Sequence, residues 1–104
     1  MGATFAFGGR NPVSGVQVVP AGAVATVRSV TSTCGMYDGS GRWLRRVGLP
    51  AKSGVSGGLV AAAPWRLGLG VYSPPLGEEG NSVRGALVCE HLSDDLYLHV
   101  FGPA

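Results

Sequence analysis

Charge is scarce in this sequence of 104 residues. Only 13% of the residues are charged, about half of the quarter that is usual for soluble domains. Lys52 is the single lysine, and the net charge of +2 is too small to favour nucleic acid or an anionic membrane as a partner. So few charges indicate that part of the surface is covered, by another part of the same protein or by a partner chain.

Metal ligands are few and scattered. The two cysteines, Cys34 and Cys89, form no C-x-x-C pair, and His91 and His99 stand apart from other ligand types. This spacing predicts no metal site and no disulfide framework, so both thiols are expected to be reduced and buried. No phosphate-binding loop or dinucleotide-binding pattern is present either, and no cofactor is predicted.

Long apolar runs are also missing. No stretch is long and apolar enough to cross a bilayer. Met1 and Gly2 are not followed by the basic segment and apolar core of a signal peptide. We therefore expect a cytoplasmic protein without a membrane partner. The length fits one small domain or part of a larger one.

Glycine, in contrast, is abundant, with 18 residues and no repeat period. Residues 1–19 are expected to form turns or the end of a helix. Pro20 and the apolar stripe after it predict a helix over residues 20–33, with Gly35 as its C-terminal cap. Residues 38–41, Asp-Gly-Ser-Gly, predict a turn.

The second half of the chain predicts a hairpin and a helix. Residues 55–63 and 67–73 read as antiparallel strands, and Gly68 and Gly70 leave one face of the second strand open to a close neighbour. Asn81 is expected to cap a helix over residues 82–96. Its predicted apolar stripe is Val88, Cys89, Leu92 and Leu96, with Gly85 on the same line, and Ser93 is expected to face water. These elements predict an α+β fold.

Lys52, Ser53 and Gly54 form the sharpest chemical motif. A lysine at the start of a glycine-flanked strand can hold a substrate carboxylate or tune a nucleophile, and the following N–H, that of Val55, can face a developing oxyanion. The same tripeptide also occurs on exposed strand edges without a catalytic role.

Tyr37 is the second candidate, with two readings. It is either a half-buried structural tyrosine or a phenol that exchanges a hydrogen bond with a catalytic nucleophile. Asp38 beside it is interpreted as a turn-forming residue. No nucleophile motif accompanies these residues: there is no G-x-S-x-G, and Leu49 stands where a Ser-x-x-Lys would need serine.

Taken together, several motifs resemble the C-terminal part of the serine-dependent glutaminases. They are CGMYD at residues 34–38, RVGLPAKSGVSGG at 46–58, SPPL at 73–76 and GNSVRG at 80–85. The resemblance implies a serine β-lactamase-like fold, in which antiparallel hairpin strands pack with flanking helices. It implies hydrolysis of L-glutamine to L-glutamate and ammonia through an acyl-serine, without metal or cofactor, by a homo-oligomer.

The resemblance also assigns roles to individual residues. Tyr37 and Lys52 match catalytic positions, and Tyr37 also contacts substrate. Ser53, Gly54 and the backbone of Val55 match the strand that binds substrate. Residues 1–104 then form the C-terminal part of a catalytic domain whose Ser-x-x-Lys is absent from this chain.

The chain alone is therefore expected to be inactive. One alternative is a non-catalytic subunit that associates with a full-length glutaminase. A second alternative is another acyl-serine hydrolase of the same fold, for example one acting on β-lactams, which the GMYD block at residues 35–38 disfavours.

Overall fold

The computed structural model describes residues 1–102. Within these residues, three α-helices come first along the chain, then three strands and a fourth helix, with a 3-10 turn at Tyr37–Gly39 before the third helix. They are α1 (Gly2–Ala6), α2 (Ala21–Cys34), α3 (Ser40–Arg46), β1 (Ala51–Ser53), β2 (Gly58–Ala63), β3 (Leu67–Tyr72) and α4 (Val83–Leu96). The predicted α+β fold is confirmed. No helix within this part of the chain is long and apolar enough to cross a membrane.

The strands form one antiparallel sheet in the order β1-β2-β3. Ala51 pairs with Ala61, and Gly58 pairs with Tyr72. The predicted hairpin is confirmed, although β2 starts at Gly58 rather than at residue 55. Residues 54–57 form a tight turn instead, in which the Gly57 N–H donates to the Gly54 carbonyl at 3.0 Å.

Helix α1 packs directly on β3, where the sequence predicted a close neighbour. A Cβ added at Gly68 would overlap the backbone of Gly2 and Ala3. Only glycine leaves room for a helix backbone at this distance from a strand. Gly70 differs from this prediction, because open space lies above it.

Helix α2 confirms the predicted helix and ends against the sheet. Gly35 is its C-cap, but with φ of −69° it is right-handed rather than left-handed. Its carbonyl accepts a hydrogen bond from the Ser53 N–H at 3.1 Å. A Cβ at Gly35 would overlap the Ala51 carbonyl oxygen. Glycine is therefore required here for contact between the end of α2 and β1.

The turn predicted at residues 38–41 is correct only for Asp38 and Gly39, which lie in the 3-10 turn, because α3 begins at Ser40. The Ser40 hydroxyl accepts from the Met36 N–H at 3.0 Å and donates to the Tyr37 carbonyl at 2.7 Å. Trp43 then lies in the core, and its indole N–H donates to the Leu49 carbonyl at 2.8 Å. This tertiary anchoring outweighs the local turn preference of Asp-Gly-Ser-Gly.

Helix α4 corrects two further predictions. Its N-cap is Ser82, whose hydroxyl accepts from the Gly85 N–H at 3.0 Å, and not Asn81. Ser93 is buried, and its hydroxyl donates to the Val47 carbonyl at 2.6 Å. The buried side of the helix therefore follows Gly85, Cys89 and Ser93, while Val88 and Leu96 are exposed.

The main core lies between the sheet, α3 and α4. Its buried members include Met36, Trp43, Val47, Leu49, Leu59, Ala61, Cys89 and Leu98. Such contacts supply most of the free energy of folding, at about 25 cal/mol per Å² of apolar surface removed from water. The core also fixes the start of β1 next to the end of α2.

The two thiols differ in environment, which corrects the prediction that both are buried. Cys34 is exposed and Cys89 is fully buried. Burial raises the pKa of Cys89 from its ordinary 9.0 to about 11. The neutral thiol is thus favoured in the folded chain, and the free energy of unfolding falls as the pH rises from about 9 towards 11.

Because thiolates are the reactive form, we expect iodoacetamide at pH 8 to label Cys34 in the native chain and Cys89 only after unfolding. Peptide mass spectrometry after timed quenching measures both sites. Equal labelling rates of the two cysteines in the native state would contradict the burial of Cys89.

Candidate active site

The predicted site residues come from two segments that the fold brings together. Tyr37 follows the end of α2, and Lys52 and Ser53 lie on β1. Gly54 and Val55 begin the turn after this strand. Because the Gly35 carbonyl pairs with the Ser53 N–H, the segment carrying Tyr37 starts at the edge of β1.

Lys52 and Tyr37 are in direct contact. The Lys52 ammonium lies over the Tyr37 ring, 4.7 Å from the ring centroid. It also donates a hydrogen bond to the Ser53 carbonyl. A cation over the face of a tyrosine ring is attracted by the ring quadrupole, by about 0.5–1 kcal/mol where both groups are exposed. The contact holds an ammonium and a phenol at one place on the surface.

Tyr37 has an unusual backbone. Its φ is 54°, in the left-handed region that residues other than glycine rarely adopt. The residue remains 41% exposed, so it is only partly covered. A conformation of this kind persists only where surrounding contacts hold it, and such residues cluster at functional sites.

Ser53 is placed differently from an exposed substrate contact. Its side chain is buried, and its hydroxyl donates to the Oδ1 atom of Asn81. The hydroxyl therefore connects β1 to the loop before α4. The role of Ser53 in binding substrate stays a prediction.

Val55 is 72% exposed at the tip of the turn. This turn is closed by the Gly54 N–H, which donates to the Gly58 carbonyl at 3.0 Å, and by the Gly57 N–H. Within residues 1–102, no acceptor takes the Val55 N–H. This amide is thus available to a ligand, as the oxyanion role predicted for it requires.

Asn81 is the site residue that the sequence reasoning missed. Its Nδ2 atom donates to the Met36 carbonyl at 2.9 Å, and its Oδ1 atom accepts from Ser53. Its position before a helix indicated a cap. The motif GNSVRG, which contributed to the resemblance, contained the signal but suggested no role for this side chain.

Other ionisable groups do not extend the site. Across the described residues, no group of three or more His, Cys, Asp and Glu side chains could hold a metal ion. Arg42 forms an ion pair with Glu79 at 2.9 Å, on the loop that carries Asn81. As a largely exposed pair, screened by solvent, it contributes little to stability.

Solved structures define the class of fold. The glutaminase YbgJ of Bacillus subtilis, solved as a covalent complex with 5-oxo-L-norleucine, superposes with a TM-score of 0.92 and 37% identity, over 96% of this chain and 37% of that one. Mglu in its glutamate form gives a TM-score of 0.90 and 50% identity, over 95% and 23% of the two chains. The chain has part of the serine β-lactamase-like fold, as predicted.

Sequence comparison then defines the family. The family model described as Glutaminase matches residues 1–101. The glutaminase of Clavibacter michiganensis subsp. michiganensis is 59% identical over 102 residues, which are 98% of this chain and 31% of the relative. This chain belongs to the glutaminase family, and the predicted resemblance is confirmed. It spans about a third of the length of that curated relative.

Proposed function

We propose that residues 1–104 are the C-terminal part of a glutaminase catalytic domain, and that the complete domain hydrolyses L-glutamine to L-glutamate and ammonia. The observation that carries this proposal is the contact of Lys52 with Tyr37, 4.7 Å from ammonium to ring centroid. Two relatives support the substrate class. Mglu is known in a glutamate form, and YbgJ reacts covalently with 6-diazo-5-oxo-L-norleucine.

The proposed reaction has two steps. A serine hydroxyl outside this chain attacks the side-chain amide carbon of glutamine, and the C–N bond breaks with proton transfer to the leaving ammonia. Water then attacks the acyl-serine ester, which releases L-glutamate and restores the hydroxyl. Each step passes through an oxyanion, for which the open Val55 N–H is one donor.

Lys52 and Tyr37 act on the charges in these steps. The Lys52 ammonium stabilises negative charge on the substrate or on the oxyanion. The Tyr37 hydroxyl exchanges a hydrogen bond with the nucleophile and contacts glutamine. Ser53 and Gly54 line the strand along which the substrate lies.

An apolar groove beside Lys52 supports the assignment to a larger domain. It has a volume of about 240 Å³ and lies between α1, α2 and the β1–β2 pair. Phe5, Val27, Pro50 and Ala61 contribute to its lining, and Lys52 lies in the same lining. Exposed apolar surface can mark an interaction site, and we assign the cover of this groove to the remaining part of the domain, which carries the nucleophile.

A cytoplasmic location and a homo-oligomeric state of the complete protein are part of the same proposal and stay predictions. The roles of the individual site residues also stay predictions.

The test uses two proteins. The 104-residue chain alone is expected to release no ammonia from glutamine, because it contains no Ser-x-x-Lys. A chimera, in which this chain replaces the matching segment of the Clavibacter glutaminase, is expected to be active. A coupled glutamate dehydrogenase assay measures both. Activity of the isolated chain, or a folded but inactive chimera, contradicts the proposal.

A second candidate function is a non-catalytic subunit of a glutaminase oligomer. The exposed groove beside Lys52 favours it, since a partner chain could also cover that surface. Co-expression with a full-length relative separates the two functions. Stable co-purification in a fixed ratio supports a subunit, whereas a monomeric chain that never joins the oligomer excludes it.

A further inference from the structure

We propose that Asn81 is a positioning residue for the glutaminase reaction, an inference that rests on the function proposed above. Its side-chain amide fixes β1, which carries Lys52, relative to the segment that carries Tyr37. Asn81 touches neither of these two groups through a hydrogen bond. It acts through their neighbours, Ser53 and Met36.

The two hydrogen bonds of Asn81 go to two different segments of the site. Nδ2 donates at 2.9 Å to the carbonyl of Met36, the residue directly before Tyr37. Oδ1 accepts from the hydroxyl of Ser53, the residue directly after Lys52. Both partners are buried. A side-chain amide supplies a donor and an acceptor within one short planar group, without a change of protonation.

The backbone holds Asn81 in place independently of its side chain. The Gly77 N–H donates to the Asn81 carbonyl at 2.9 Å, and the Gly80 N–H donates to the Gly77 carbonyl at 3.1 Å. On the other side, Val83 donates to the Pro75 carbonyl at 3.1 Å. The side-chain amide is therefore a fixed point to which the two catalytic segments are attached.

The same loop also passes close to Tyr37 itself. Gly80 has φ of +89°, and a Cβ added there would lie 3.7 Å from the Cδ2 and Cε2 atoms of the Tyr37 ring. The ring thus lies near this loop as well as under the Lys52 ammonium. Because the left-handed backbone of Tyr37 needs support from its surroundings, the bond to the Met36 carbonyl is expected to matter for ring placement.

The first test measures the Lys52–Tyr37 contact in the 104-residue chain by NMR. An ammonium over an aromatic ring places the adjacent Hε protons in the ring-current field, and they shift upfield. We expect Asn81→Ala to move the Lys52 Hε resonances most of the way to their random-coil position. Unchanged Hε resonances in a folded Asn81→Ala chain would overturn the inference.

Ser82→Ala is the matched control. Ser82 is the next residue, is buried and is hydrogen-bonded, but its hydroxyl donates to the Ser73 carbonyl at 2.8 Å and caps α4. Removing this hydroxyl is expected to lower the midpoint temperature of thermal unfolding and to leave the Lys52 Hε chemical shift unchanged. If Asn81→Ala does not fold, Asn81→Asp, which keeps the acceptor for Ser53 and loses the donor to Met36, decides by the same resonance.

The second test is kinetic and uses the chimera. A misplaced catalytic group typically costs about 100-fold in rate, so Asn81→Ala is expected to lower kcat by about this factor with a smaller change in KM. Ser82→Ala is expected to keep the parent kcat at temperatures where it is folded. If both variants lost kcat equally, Asn81 would have only a structural role, and the inference would be wrong.

The two tests also separate this inference from the proposed function. If the parent chimera is folded but releases no ammonia, the proposed function fails. The ring-current measurement still decides whether Asn81 sets the distance between Lys52 and Tyr37, because it needs no turnover.

Discussion

Lys52→Met in the chimera is expected to lower kcat/KM for glutamine by about 1,000-fold, the upper range for the loss of one charge-stabilising group. Lys52 is the only lysine of this chain, and no second cation contacts the Tyr37 ring among the described residues. Methionine keeps much of the side-chain length and removes the charge. The loss is therefore expected from electrostatics rather than from packing, and the coupled ammonia assay measures it.

Two controls accompany this prediction. Arg45→Met removes one exposed positive charge from α3, outside the site, and is expected to keep the parent kcat/KM. Lys52→Arg keeps the charge but replaces a compact ammonium by a planar guanidinium, and is expected to restore only part of the activity. A Lys52→Met chimera with more than a tenth of the parent kcat/KM would argue against a catalytic lysine.

Gly35→Ala is expected to destabilise the folded chain by about 3 kcal/mol or more, at the upper end of the cost of overpacking. The added methyl group would overlap the Ala51 carbonyl oxygen and lie 2.6 Å from that of Thr31. Since Gly35 is right-handed, with φ of −69°, the cost is steric and does not come from a forbidden backbone conformation. Urea unfolding followed by tryptophan fluorescence measures it.

Gly22→Ala is the control in the same helix. No atom lies within 4 Å of a Cβ added at Gly22. Alanine there is expected to stabilise the chain by about 0.5–1 kcal/mol, the difference in helix propensity. If both variants gained stability, the contact between the end of α2 and β1 would be looser than described.

Local patterns were enough to predict much of the fold. Pro20 and a valine-rich stripe indicated α2. An apolar run before Pro64 and alternating apolar residues after Arg66 indicated the hairpin of β2 and β3. Both signals depend on neighbours in sequence. In contrast, the first two residues of α3, Ser40 and Gly41, were predicted to lie in a turn. The bonds of Ser40 and Trp43 that stabilise this helix join residues whose proximity the sequence does not display.

The sequence likewise predicted one part of the candidate site and not the other. The motif match named Tyr37, Lys52 and Val55 as candidates, and the fold brings Tyr37 and Lys52 into contact, while their roles stay predictions. It could not predict that Ser53 and Met36 share Asn81 as a partner, since that contact joins three separate segments. Polar residues before helices are common caps, so the side-chain direction of Asn81 needed the three-dimensional structure.

The order of strands has a consequence for how this chain behaves by itself. β1 is protected on its outer side, where the Gly35 carbonyl occupies the Ser53 N–H. Within residues 1–102, β3 has a strand on one side only, so its other side presents unpaired backbone groups over six residues. Such an edge is a template for association with other chains. The solubility of the isolated chain thus depends on whether the free edge of β3 is covered. A charged side chain introduced at that edge is expected to keep the chain monomeric.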